Sequence, residues 1–502
     1  MDKVSQLPDD LLIKILSLVP TKNVIAMSIL SKRWRSLWTL LPRLIFGEDD
    51  EDEEEHAEYN WADQINLSQV VYTTLLLHKA QVLECFHLNI TTICSASEIE
   101  LWVRVAVDRF VRDLKIRFCN GYGLITLPIS LYRSETLETL ELRSVKFLEV
   151  PSQFSFPSLK RLRLLFVKYA DEESFVRLIS NCPVLEDLVV ETCHNDNVAT
   201  FTVNVPSLES LSIRHTLPYF GTEGDVFVVH YHSLKQLTIN LDYIGDIKFI
   251  GNNMPKLVEA NLVSLSCHAK VLASFPNIKR LFLCLDGEVA LYPIGTVLFQ
   301  LVRLELCLCE SNWTNMLVSV LQHSPKLQVL KLALNHFLSE DRNVCWIQPS
   351  CVPECLLLHL NTFEWRDYGG SEEEKQVAVY ILKNARRLVT ATIYPDSAEL
   401  ASKHEMFEEL EIESRFSTLI SVSQITLESS KHLVVFKLQC KIRLDFAGSP
   451  VWFRSLKSLH LTGLRGTEKD LMMIKELRSM SMASTSCQLF LRILQKCCLL
   501  FQ

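Results

Sequence analysis

Residues 156–164 read Phe156-Pro157-Ser158-Leu159-Lys160-Arg161-Leu162-Arg163-Leu164, and the alternation inside them sets the architecture of most of the chain. Leu162 and Leu164 alternate with Arg161 and Arg163, so an extended backbone puts leucines on one face and arginines on the other. Leu159 sits three residues earlier, behind a Pro-Ser pair that suits a turn. The same Leu-x-x-Leu-x-Leu unit returns as Leu185-x-x-Leu188-x-Val190, Leu208-x-x-Leu211-x-Ile213, Leu234-x-x-Leu237-x-Ile239 and Leu327-x-x-Leu330-x-Leu332. Weaker copies start at Leu257, Ile278 and Leu301; upstream, Leu137-x-x-Leu140-x-Leu142 fits and Val111-x-x-Leu114-x-Ile116 fits loosely.

Counted from Leu137, the first positions are 22, 26, 23, 26, 23, 21, 23 and 26 residues apart. That is the period of a leucine-rich repeat, here an irregular kind in which the usual asparagine is mostly missing. One such unit cannot bury its apolar face alone, so the units must stack. Ser174–Ile179 and Met316–Leu321 have the pattern of short helices on the return side. The strand positions between the leucines point outward and form the candidate binding surface. They are Arg161, Arg163, Asp187, Glu191, Ser210, Arg214, Gln236, Asn240, Glu259, Asn261, Arg280, Phe282, Arg303 and Glu305. Their mixed signs suit a protein partner better than phosphate-rich nucleic acid.

Composition narrows the function classes. The chain has 502 residues, 48% apolar, with 51 Lys and Arg against 59 Asp and Glu. Eight of the acids form the unbroken run Glu48–Glu55, and setting those aside leaves 51 against 51, so no global basic field draws nucleic acid or an anionic membrane. The sixteen cysteines follow an N-terminus, MDKVSQLPDDLLIKIL, that lacks a secretory apolar core. They read as reduced, small hydrophobes of an intracellular protein in cytoplasm or nucleus, and the Asn-x-Ser/Thr matches at Asn66, Asn89 and Asn312 carry no weight. No uncharged apolar run reaches the 18 residues or so that a membrane span needs.

The N-terminal stretch runs LPDDLLIKILSLVPTKNVIAMSILSKRWRSLW from Leu7 to Trp38. Pro8, Asp9 and Asp10 open a helix carrying Leu11, Leu12, Ile15, Leu16 and Val19; Pro20 closes it, Thr21 can cap a second, and a third begins near Ser31. Three helices in some forty residues have little core of their own, so part of this apolar face should meet a partner. Residues 4–41 resemble a plant F-box nearly position for position. The resemblance implies docking on the Skp-family adaptor of cullin–RING ubiquitin ligases through Leu7, Pro8, Leu11, Leu12, Ile15 and Leu16. Ser31, Arg33, Trp34 and Trp38 would complete the domain or its adaptor face. The acidic run reads as a solvated linker that separates the adaptor end from the repeats.

Residues 349–394 carry Pro353-Glu354-Cys355-Leu356, Phe363-Glu364-Trp365 and Ile381-Leu382-Lys383-Asn384-Ala385. These marks resemble the FBD region that follows the repeats in F-box/FBD/LRR proteins of flowering plants. The pattern predicts a strand with Leu360, Phe363 and Trp365, a turn at Gly369-Gly370, a helix from Glu372 to Asn384, and another strand. Cys351, Cys355 and His359 lack a fourth ligand at zinc spacing and read as core, so no metal or cofactor is implied. His404–Leu410 looks like an FBD ending, after which Lys431–Leu438 and Phe453–Leu461 return to the repeat pattern. They match Glu135–Leu142 and Phe156–Leu164, which implies a partial internal duplication. A second FBD-like ending, Ala483–Leu489, precedes the apolar LRILQKCCLLFQ.

No Walker loop, Gly-x-Gly-x-x-Gly, Gly-x-Ser-x-Gly or His-Glu-x-x-His motif is present. The expected fold is α plus α/β: a three-helix F-box (1–46), an acidic linker (47–60), an irregular leucine-rich-repeat solenoid (61–345) and an FBD region (346–412), then a partial repeat duplicate (413–466) and a divergent second ending (467–502). The expected function is a non-catalytic substrate-recognition subunit of an SCF-type ligase, contacting cullin and RING protein through the adaptor, with an unknown protein target. An interaction scaffold outside a ligase, a ligand-dependent repeat receptor and the product of a rearranged gene remain as alternatives.

Overall fold

A computed structural model describes residues 7–27, 32–47, 67–90, 94–118, 127–145, 148–193, 198, 200–216, 226–230, 233–241, 246–250, 254–263, 272, 275–284, 298–309, 313–334 and 345–395, with the backbone of 420–421, 435–443 and 458–465. The chain divides into two compact units, residues 1–267 and 268–502.

The first unit opens with α1 (Asp9–Leu16), α2 (Thr21–Met27), α3 (Lys32–Leu37) and a 3-10 turn, Trp38–Leu40, that leads into β1 (Arg43–Phe46). Pro8 precedes α1 and its carbonyl accepts from the N–H groups of Leu11 and Leu12. Asp9 and Asp10 then lie at the positive end of the helix dipole. Leu12, Leu16, Val24, Leu37, Trp38 and Leu41 form the core of this helical cluster. Thr21 begins α2 instead of capping it. Its buried hydroxyl accepts from the Ile45 N–H at 2.7 Å, because β1 runs past that point and a buried hydroxyl needs a partner.

Downstream come α4 (Leu67–Leu77), β2 (Cys85–Ile90), α5 (Ala96–Asp108), β3 (Asp113–Phe118), β4 (Thr139–Arg143), β5 (Arg161–Leu165), α6 (Ser174–Ser180), β6 (Asp187–Cys193), β7 (Thr200–Asn204), β8 (Ser210–Thr216), β9 (Val226–His230), β10 (Gln236–Leu241), β11 (Asp246–Ile250) and β12 (Glu259–Val263). Nine strands form a parallel sheet in the order β1-β2-β3-β4-β5-β6-β8-β10-β12. β1 lies before the acidic run and β2 after it, yet they pair side by side, Arg43 opposite Cys85 and Phe46 opposite Leu88. The run therefore does not hold the helical cluster apart from the repeats; its own residues lie outside those described. Gly47 ends β1 at φ +97°, where a Cβ would collide with Asn89.

The return side is helical at α6, as its pattern predicts, but β7, β9 and β11 form a second parallel sheet there, in the order β11-β9-β7. The repeat pattern did not anticipate that sheet. Phe201 of β7 stacks on Phe227 of β9 with ring centroids 5.0 Å apart, and Phe175 of α6 meets Phe201 edge-on at 5.0 Å. Phe201-x-Val203 of β7 and Phe227-x-Val229 of β9 alternate as strands that bury one face do.

A backbone ladder ties successive repeats together. The carbonyl of Arg112 accepts from the N–H groups of Glu138 and Thr139; that of Glu138 accepts from Lys160 and Arg161, and that of Lys160 from Glu186 and Asp187. Serines and threonines before the repeat leucines add a second tie where the usual asparagine is missing. Thr136, Ser158 and Ser207 donate to the carbonyls of Val111, Glu135 and Leu185 at 3.1, 2.6 and 2.7 Å.

The second unit holds β13 (Arg280–Cys284), β14 (Arg303–Cys307), α7 (Trp313–His323), β15 (Val329–Ala333), α8 (Glu354–Leu358), β16 (Thr362–Tyr368), α9 (Glu372–Asn384), β17 (Thr390–Pro395) and β18 (Ile420–Ser421), with the strands parallel and adjacent in that order. The FBD-like segment thus continues the repeat architecture. The Gln328 carbonyl accepts from Asn361 and Thr362, and the Asn361 carbonyl from Val389 and Thr390. Gly370 turns at φ +75°, and Ser371 with Glu374 forms a capping box that starts α9. Trp365 packs edge-on against Trp313 and Tyr368, with centroids 5.9 and 5.1 Å apart.

Farther on, β19 (Val435–Arg443) and β20 (Ser458–Arg465) pair in parallel, with Phe436 opposite Leu459 and Leu438 opposite Leu461. The segments His404–Leu410 and Ala483–Leu489 and the final residues lie outside those described. Among the described residues no helix is long and apolar enough to cross a membrane.

Candidate functional site

Two surfaces carry the residues singled out from the sequence. On α1 the apolar residues divide by face. Leu12 and Leu16 point into the helical core, whereas Leu11, Ile15 and the following Leu18 are 46%, 45% and 82% exposed. An i, i+4 spacing places Leu11 and Ile15 on one stripe. Pro8 is exposed beside it and Leu7 is half-buried. Trp38 is buried and Trp34 packs against the core, partly covered. Leu12, Leu16 and Trp38 turn their side chains into the helical cluster, where Trp38 helps to complete the domain. Arg33 also has a structural duty, donating from Nε to Asp9 Oδ1 at 2.9 Å and from its terminal nitrogen to the Leu7 carbonyl. That clamp holds α3 against the start of α1. Ser31 lies outside the described residues.

The second kind of surface is the outward strand face that each unit presents by itself. In the first unit Arg161, Arg163 and Arg214 are exposed, while Asp187, Glu191, Asn240, Glu259, Ser210 and Asn261 are half-buried; Gln236 is exposed. The register sets Arg161 beside Asp187 and Arg163 beside Val189, and Glu191 beside Arg214. In the second unit Arg280 and Arg303 are exposed and adjacent, with Phe282 beside Glu305, both half-buried.

The candidate surface drawn from the sequence stopped short of the earliest repeats. Lys115 and Arg117 on β3 and Glu141 and Arg143 on β4 occupy the same outward positions, in register with Arg161 and Arg163 through Thr139–Arg161 and Glu141–Arg163. Leu114-x-Ile116 and Leu140-x-Leu142 carried the signal. Glu141 is fully buried, an unusual place for a carboxylate. Arg117 Nε donates to its Oε1 at 2.6 Å, and Lys115 and Arg163 lie 4.0 and 3.9 Å from Oε2. One carboxylate thus gathers three cations, and Arg161 Nε donates to Thr139 Oγ1 at 3.1 Å beside them. Arg143 covers the Phe166 ring at 5.6 Å.

At the edge of this patch, His87 Nε2 lies 3.1 Å from both Cys85 Sγ and Asp113 Oδ2. A nucleophile relay needs its carboxylate and its thiol on opposite ring nitrogens, whereas both meet the same one here. Burial also pushes the Cys85 thiol up to about 12, which disfavours the thiolate at neutral pH.

In the second unit, Lys331 Nζ and Arg366 Nε approach Glu364 at 2.6 and 2.7 Å. Burial raises the Glu364 carboxyl, but the two cations outweigh it and hold it below the usual glutamate value. A lowered folded-state value adds stability above the unfolded pKa, and that stability is lost as pH falls through the folded one. The difference in urea stability between wild type and Glu364→Gln should therefore shrink between about pH 6 and about pH 3. A pH-independent difference would show that the ion pairs carry none of the effect.

Comparison with known proteins accords with this geometry. An F-box domain model matches residues 4–46, a leucine-rich-repeat model described as "FBD-associated F-box protein At5g56370, LRR repeats" matches 99–257, and an FBD model matches 348–393. The F-box/FBD/LRR-repeat protein At5g56420 of Arabidopsis thaliana is 44% identical over 422 residues, covering 83% of this chain and 97% of the relative. The probable FBD-associated F-box protein At1g32375 of the same plant is 41% identical over 431 residues, covering 84% of this chain and 100% of the relative. With all three segments in the same order, the chain belongs to the F-box/FBD/LRR-repeat family of plants.

Proposed function

We propose that this chain is the substrate-recognition subunit of an SCF-type cullin–RING ubiquitin ligase, with the F-box held by a Skp-family adaptor and the outward strand face holding a protein target. The observation that carries the reading is the exposed pair Leu11 and Ile15 on α1, with exposed Leu18 in the turn after it, on a helix whose other face is already packed. An apolar stripe of that size on so small a helical cluster is suited to a helical partner. The chain would contribute to rate by proximity, positioning a target beside a conjugating enzyme without supplying catalytic groups. Co-expression of the full chain with a plant Skp-family adaptor and cullin tests this, and recovery of a stoichiometric complex is the expected outcome. Failure to recover the adaptor would leave the repeats as an interaction scaffold acting elsewhere.

The target surface centres on the cations around Glu141. Reversing charge at Arg161 and Arg163 together is expected to lower target capture at least tenfold while adaptor binding stays unchanged, since both side chains are exposed. Target recovery equal to wild type from cell extract would remove the pair from the surface. Residues 413–466 are read as a partial copy of the repeat segment. The support is register: Leu438 stands opposite Leu461 as Leu142 stands opposite Leu164.

A further inference from the structure

The cysteines of the second unit are not distributed as isolated fillers. Cys284 ends β13 and Cys307 ends β14, and the pairing of Leu283 with Leu306 brings the two cysteines side by side. Both follow the outward phase of their strands, after Arg280 and Phe282 on one and Arg303 and Glu305 on the other. Cys309, two residues beyond Cys307, keeps that phase. The three sulfurs lie within 4.8 Å of one another, with Cys284 Sγ and Cys309 Sγ 3.2 Å apart. Cys284 and Cys307 are buried and Cys309 is half-buried.

Other described cysteines show what a structural thiol looks like in this fold. Cys182 and Cys355 each donate to a helical carbonyl, Leu178 and Leu321, at 3.3 Å, and burial pushes both thiols up to about 12. At Cys355 burial outweighs the nearby backbone donors. Cys284, Cys307 and Cys309 differ in that their three sulfurs converge within 4.8 Å of one another. A thiol is a weak donor and a weak acceptor, so thiols gain little from facing one another. As thiolates they are soft metal ligands, and convergence of three is the arrangement such an ion needs.

We propose that Cys284, Cys307 and Cys309 form a binding site for a soft d10 metal ion, of which zinc is the reference case. Three sulfurs on a tetrahedral zinc stand about 3.8 Å apart at Zn–S distances of about 2.3 Å, so shifts of under about 1 Å convert the cluster into three ligands. The binding step balances as one divalent ion plus three thiols giving a tris-thiolate complex and three released protons. A fourth ligand would come from outside these three side chains. Bound metal would tie the ends of β13 and β14 together beside Phe282 and Glu305, on the outward strand face of the second unit. The site stands on its own geometry and holds whether or not the chain works in a ligase.

The full chain, purified under reductant and stripped with a chelator, is titrated with Co2+ and then with Zn2+. One equivalent of cobalt should give thiolate-to-metal absorption, which zinc abolishes by displacement. Cys284→Ser, Cys307→Ser and Cys309→Ser should each weaken cobalt binding at least tenfold, whereas Cys182→Ser should not. Affinity should also fall as pH falls, because three protons compete with the ion. A readout that needs no variant is alkylation mapped by mass spectrometry: Zn2+ should protect these three cysteines in the wild-type chain. Absence of thiolate-to-cobalt absorption, or binding that survives in all three variants, overturns the proposal. So does a Cys284–Cys309 disulfide that forms in the presence of excess Zn2+, which would assign the pair to redox chemistry.

Discussion

Replacing Leu11 and Ile15 together by aspartate is expected to abolish recovery of a Skp-family adaptor while the chain stays folded. Both side chains are nearly half exposed in the free protein, so carboxylates there remain solvated and cost the fold little. In a complex they would be forced against an apolar partner, where an unpaired charge costs several kcal/mol, more than about a hundredfold in affinity. The contrast with their neighbours makes the test sharp. Leu12→Ala or Leu16→Ala empties a packed position and should cost about 2–5 kcal/mol of stability. Urea denaturation and adaptor co-purification, measured on the same variants, separate the two classes. An aspartate double variant that still carries adaptor would move the docking surface away from this stripe.

The second large effect is expected at Glu141. Truncation to alanine leaves Arg117, itself buried, without the carboxylate it contacts at 2.6 Å, and should cost about 3–5 kcal/mol. Glu141→Gln should cost less, since the amide oxygen can still accept from Arg117 Nε. Combining Glu141→Leu with Arg117→Leu should recover much of the loss, because neither charge then needs a partner. Urea denaturation of the four proteins measures this. A loss under about 1 kcal/mol for the alanine variant would mean that solvent reaches Arg117 after truncation and the pair is not a buried one in effect. The same carboxylate orders half-buried Lys115 and exposed Arg163, so its loss should also weaken target capture beyond what stability explains.

Much of this architecture was legible because repetition magnifies a weak signal. A single Leu-x-x-Leu-x-Leu could be helix or strand; nine of them at intervals of 21–26 residues leave only stacked strands. The outward face followed from alternation alone, which is why Arg161, Arg163, Arg280 and Arg303 are where the pattern puts them. What escaped was set by contacts between distant segments. Whether Leu11 or Leu12 faces a partner depends on where α3 and Trp38 lie, and Thr21 gave its hydroxyl to a strand twenty-four residues away. The sheet of β7, β9 and β11 arises because Phe201 and Phe227 stack across repeats, a choice that local pattern does not encode. The sulfur cluster was missed for the opposite reason. Cys307-x-Cys309 is conspicuous in the sequence, but only the register of β13 against β14 supplies Cys284.

The pairing of β1 with β2 has a mechanical meaning. Thr21 reaches Ile45, the Thr39 carbonyl accepts from the N–H groups of Lys79 and Ala80, and His78 Nε2 meets the Leu41 carbonyl at 2.8 Å. The helices at the N-terminus are thus bolted to the first repeats at several points, which removes a swivel there. Under the proposed ligase function, a captured protein would be presented at a fixed bearing, like a workpiece in a vice, and only lysines lying along that bearing would be reached. Selectivity among a target's lysines would then be a property of the joint as much as of the grip.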